Sequence, residues 1–169
     1  MSSPPERPAD TAPPNVPALM AALTARDPEE KRAASRALWQ AVRHAGRPAA
    51  ANERRAMVAQ LLPGLASGQP DPVHREVLWM LSEIAGDEAI EPMAALLKDP
   101  ACREDARMAL ERLPGAKVLA ALRTALAEAP ADFQPSIAQA LRARGADVPG
   151  FPPVNMKPTR ETSVKPVQA

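Results

Sequence analysis

The chain has no tyrosine, two phenylalanines (Phe133 and Phe151) and two tryptophans (Trp39 and Trp79). With β-branched residues also scarce, this argues against a strand-built core. A single cysteine, Cys102, excludes an internal disulfide and fits a reducing cytosol. The only histidines, His44 and His74, fall on different predicted helix pairs, and with one cysteine elsewhere they give no zinc-ligand spacing. His44 precedes Gly46, where a cation suits a helix C-terminus, and His74 is expected at a surface or boundary. No apolar run approaches the ~20 residues that span a bilayer. The opening MSSPPERPADTAPPN shows no basic stretch followed by an apolar run, so no secretory signal is expected. These absences lead to the expectation of a soluble, cytoplasmic protein without membrane partners.

Charge of one sign is also lacking. Lys and Arg total 21 and Asp and Glu 20, for a net +1, so no global excess exists to neutralise phosphates. There is no Gly-rich phosphate loop and no Gly-x-Ser-x-Gly elbow. Glu29, Glu30, Glu53, Glu104 and Asp105 stand at predicted helix starts, where the helix dipole accounts for them. No catalytic set, metal or cofactor is expected from these patterns.

What remains is rich in Ala, Leu, Arg and Glu, which are strong helix formers. At 169 residues and 46% hydrophobic content, the chain suits one all-helical domain with tails. Residues 1–15 and 146–169 are proline-rich and poor in core residues, so both are expected to be disordered. Phe151 and Met156 are possible apolar anchors in the second tail. Between the tails, helical periods alternate with breakers. Asp27-Pro28, Asp71-Pro72 and Asp99-Pro100 each read as a helix start. Pro63-Gly64 should break the segment begun at Ala51. Pro92 and Pro135 fit late starts or first turns. Gly46, Gly86, Gly115 and Gly145 each end a predicted helix pair, at steps of 40, 29 and 30 residues. That is an internal repeat of imperfect period.

Within it, Gly86-Asp87, Ala89-Ile90-Glu91-Pro92, Leu96-Leu97-Lys98-Asp99 and Ala109-Leu110 occur in order. This segment resembles the bacterial form of the HEAT-repeat family. The resemblance covers most of residues 16–145 and implies a short right-handed α-solenoid of about four antiparallel helix pairs. The family's usual turn Asp followed by Val-Arg is degraded here to Val73-His74-Arg75 and Cys102-Arg103. Members bind many kinds of partner, so the resemblance specifies fold more than function.

At 100° per residue, Trp39 lies about 100° from Leu38, the centre of its helix's buried stripe, and Trp79 lies similarly from Leu78. Seven residues before the repeat glycines stand Trp39, Trp79, Met108 and Ala138. This position suits packing between adjacent pairs, or an exposed stripe that grips a partner. Arg36 and Arg43 flank Trp39, and Glu76 and Glu83 flank Trp79. Stacked in register, Arg36 would face Glu76 and Arg43 would face Glu83. These would be solvated ion pairs or a mixed-charge concave surface.

The preferred expectation is a non-catalytic protein-binding scaffold. Its candidate contacts are Arg36, Trp39, Arg43, Glu76, Trp79, Glu83, Arg107 and Arg112, and its protein partner is unknown. A second reading is nucleic-acid binding, as in HEAT-like DNA glycosylases, through Arg54, Arg55, Arg103, Arg107, Arg112, Arg142 and Arg144. The near-zero net charge argues against it. A third is an accessory enzyme subunit resembling HEAT-like phycobilin lyases.

Overall fold

The computed structural model describes residues 14–153. Among them are eight α-helices and no strand, as the composition requires. They are α1 (Val16–Ala22), α2 (Pro28–Ala45), α3 (Ala51–Leu61), α4 (Asp71–Ile84), α5 (Ile90–Ala95), α6 (Arg103–Arg112), α7 (Ala116–Glu128) and α8 (Gln134–Ala143). No helix among the described residues is long and apolar enough to cross a membrane. Met156 lies outside the described residues, as do residues 1–13 and 154–169 of the expected tails.

The breakers act locally as their chemistry dictates. The Asp27 carboxylate accepts from the Glu29 N–H at 2.9 Å, with Pro28 as the first helical residue. Gly46 ends α2, its N–H donating to the Val42 carbonyl at 2.8 Å. Gly145 adopts φ +77° just after α8, the left-handed geometry that glycine takes without strain. Asp99-Pro100 departs from expectation: the chain makes a turn there, and α6 begins only at Arg103.

Pro63-Gly64 ends α3 at Leu61 and sets a short 3₁₀ turn, Leu62–Leu65, against α4. Gly64 is buried there, and a Cβ on it would lie 2.8 Å from Val77 Cγ2 and 3.0 Å from Met20 sulfur. Val77 is itself fully buried and has little room to move. Gly64→Ala should therefore cost about 1–3 kcal/mol through overpacking. Urea denaturation would read this as a lower midpoint at unchanged slope.

Packing arranges the helices in two rows. α2, α4, α6 and α8 touch in sequence, as do α1 with α3 and α5 with α7. Across the rows α1 packs on α2, α3 on α4, α5 on α6 and α7 on α8. The core runs between the rows through Leu38, Val77, Leu78, Leu81, Leu110, Leu122 and Ile137, all without exposed surface. α4 sits at its centre, burying Val73, Val77, Leu78, Met80 and Leu81. At the far end, the start of the expected C-terminal tail is ordered. Ala146 and Val148 pack against the core, and Arg142 Nη1 donates to the Phe151 carbonyl at 2.5 Å.

Candidate functional site

The even-numbered row carries most of the residues singled out by sequence. Trp39 and Trp79 are both half-buried between neighbouring helices of this row. The Trp39 indole N–H donates to Glu76 Oε2 on α4 at 3.0 Å, and the Ser35 hydroxyl donates to Glu76 Oε1 at 3.3 Å. The Trp79 indole N–H donates to Asp105 Oδ1 on α6 at 3.1 Å. Both acids stand ten residues before their repeat glycine and both donors seven before theirs, so one contact is built twice. Each unites a polar handle with a large apolar body, as a half-buried indole requires.

This arrangement replaces the expected ion pairs. Arg36 does not pair with Glu76 among the described residues; Trp39, one turn further along α2, leans back toward the helix N-terminus and its indole N–H takes that carboxylate. Arg43 does not pair with Glu83, which is bonded instead by Arg112 from α6. The Arg112 guanidinium also lies over the Trp79 ring, 6.0 Å from its centroid. Trp39, Arg43 and Glu83 nevertheless line one cleft of about 410 Å³, floored by Val42 and Ile84. Arg107 is not available for a partner: it bonds Glu104 and Glu111 on its own helix, with its side chain 15% exposed. Among the described residues Met108 is the one exposed large hydrophobic side chain.

The arginines named for nucleic-acid contact are mostly engaged as well. Arg103 bonds Asp132 at 2.7 Å, and Arg55 bonds Asn52. Arg142 donates to Gln139 and the Phe151 carbonyl. Arg144 donates to the carbonyls of Glu111, Leu113 and Gly115. Several ion pairs join residues 29 or 30 apart: Arg75–Asp105, Lys98–Glu128, Arg103–Asp132, Glu83–Arg112 and Asp87–Lys117. Each links one helix pair to the next at the repeat step read from the glycines.

Two carboxylates on this surface, Glu104 and Asp132, respond to pH. Burial disfavours ionised Glu104, but hydrogen bonds from Arg107 and Ser136 outweigh it and hold the carboxyl below its usual range. The hydrogen bond from Arg103 likewise lowers Asp132. A folded-state pKa below the unfolded one stabilises the fold above the unfolded value. That stability is lost as pH falls through the folded value. Thermal midpoints should thus hold steady near neutrality and begin to fall below about pH 4. Replacing Glu104 by Gln should shrink that acid-side drop, which a pH series of thermal melts would show.

A second cluster gathers residues that have no ligand spacing along the chain. His74 is 4% exposed rather than a surface residue, and Cys102 is fully buried beside it. His74 Nδ1 lies 3.7 Å from Cys102 Sγ, while Nε2 lies 3.1 Å from the Ala66 carbonyl. Asp71 and Asp99 complete a group whose ligand atoms all lie within 4.8 Å of one another. Burial, together with the charges of Asp99 and Asp71, pushes the Cys102 thiol up from its ordinary pKa. A legible signal existed. Asp71-Pro-Val-His-Arg-Glu and Asp99-Pro-Ala-Cys-Arg-Glu each place a ligand-type residue, His74 or Cys102, three positions after an Asp-Pro.

Compared with known protein families and with curated proteins, the chain gives no match.

Proposed function

We propose that the chain is a HEAT-like α-solenoid that serves as a non-catalytic, cytoplasmic protein-binding scaffold through its even-numbered row. Two features support the solenoid part: the two-row packing and the ion pairs that recur at the repeat step. The observation that carries the binding part is Met108. At the third copy of the tryptophan position the ladder of indole bonds stops, because Met108 has no N–H and Pro135 stands where the acid would be. Met108 is left 38% exposed on α6, in the same row as α2, where Arg36 and Arg43 are exposed and form no ion pair among the described residues. Methionine is a pliable apolar anchor, and two exposed guanidiniums select for carboxylates. The fitting partner is a protein segment with an apolar side chain near acidic residues.

Affinity capture from native lysate with mass spectrometry tests this. Met108→Glu should reduce recovery of the specific partner at least tenfold at an unchanged circular dichroism spectrum and melting point. Arg123→Glu, on α7 in the other row, should recover it as the native chain does. Equal recovery by Met108→Glu would sink the binding part of the reading.

A further inference from the structure

We propose that Asp71, His74, Asp99 and Cys102 form a binding site for a divalent transition-metal ion of the zinc class, which ties the start of α4 to the turn before α6. The donor set is one imidazole nitrogen, one thiolate and two carboxylates, which is the mixture that four-coordinate zinc accepts. Borderline-soft sulfur and nitrogen argue against calcium and magnesium, which take oxygen ligands.

His74 carries the argument beyond a chance group of acids. Its ring is buried, and Nε2 is within hydrogen-bond distance of the Ala66 carbonyl. That contact fixes the proton on Nε2 and turns the Nδ1 lone pair toward Cys102, Asp71 and Asp99. A ring held from behind by a carbonyl is the usual support of a metal-ligating histidine. Among the described residues Nδ1 meets only the thiol, at 3.7 Å, which is a weak partner for a buried acceptor. Asp99 is also held in place: one of its carboxylate oxygens accepts from the Ala101 N–H at 3.0 Å, which leaves the other for an ion. Asp71 is exposed and gives the ion a route from solvent.

The fit requires little movement. Zinc bonds of about 2.0–2.3 Å would draw the widest-spaced ligands together by roughly 1 Å. Binding releases the Cys102 thiol proton to water and forms the zinc–sulfur bond in its place. Because Asp71 and His74 belong to α4 while Asp99 and Cys102 lie in the turn before α6, the ion would bridge two helix pairs.

The test uses the full chain without a histidine tag, titrated with Co(II) and then Zn(II) as chlorides. Co(II) should bind at one equivalent, giving visible bands of tetrahedral cobalt and a near-ultraviolet thiolate charge-transfer band. Zn(II) should abolish both spectra. At a hundredfold excess over Kd, Zn(II) should raise Tm by about 5–10 °C. Cys102→Ser should lose the charge-transfer band. Asp71→Asn alters an exposed side chain, so the fold should survive while metal affinity falls at least tenfold. A folded native chain with no charge-transfer band at saturating Co(II) overturns the site. So does a Cys102→Ser variant that binds Zn(II) as tightly as the native chain.

Discussion

Phe133→Ala should lower the stability of the chain by about 3–5 kcal/mol. The ring is 1% exposed and heads the fully buried side chains by volume. It lies at the entry to α8, with the Arg103 guanidinium 4.7 Å from its centroid and Asp132 bonding that guanidinium from the side. Truncation removes apolar burial, leaves a cavity, and takes away the surface on which Arg103 rests. The cation–π part is about 0.5–1 kcal/mol, so the cavity dominates. With about 2–4 °C lost per kcal/mol in a chain of this size, Tm should drop by roughly 10 °C. Phe133→Leu should recover most of the loss. A fall below 1 kcal/mol in urea denaturation would show that α8 does not depend on this ring.

The second large effect concerns Arg144→Met. One guanidinium, just past α8, donates to the carbonyls of Glu111 at 2.8 Å, Leu113 at 2.5 Å and Gly115 at 2.8 Å. The last carbonyls of a helix have no partner within it, and the dipole there favours a cation. Arg144 thus closes the end of α6 and the turn into α7 from the neighbouring pair. Methionine keeps the apolar stem and removes all three bonds. The expected loss is about 2–3 kcal/mol, since hydrogen bonds from a charged donor exceed neutral ones but do not add fully. Arg144→Lys keeps the charge without the planar fork and should fall between the two. A melting point for Arg144→Met equal to that of the native chain would refute this role.

The helices were legible because their stops are local chemistry. Asp27, Pro28, Gly46 and Pro63 act on the backbone within a turn of themselves, so sequence order suffices to place them. The side-chain partners were harder. Glu83 has an arginine at its own level on each side, Arg43 and Arg112, and only packing decides that Arg112 takes it. Register alone sets Arg36 opposite Glu76, but a tryptophan three residues further along reaches back to it. His74 and Cys102 show no metal-ligand spacing along the chain; the packing of α4 against α6 brings them together. Of the three Asp-Pro starts, those at Asp71 and Asp99 differ. Asp71 begins α4, while Asp99 accepts the Ala101 N–H and delays α6 to Arg103.

Residues 146–153 cover the end of the row of described helices. Ala146 and Val148 cover apolar surface at the last pair, and the Phe151 carbonyl holds Arg142. A row of similar helices could otherwise accept a further pair, or the end of another copy, in the same way that it accepts its own neighbours. Extension by duplication at that end would first have to displace this segment, so growth in that direction carries a penalty that an insertion between inner pairs does not.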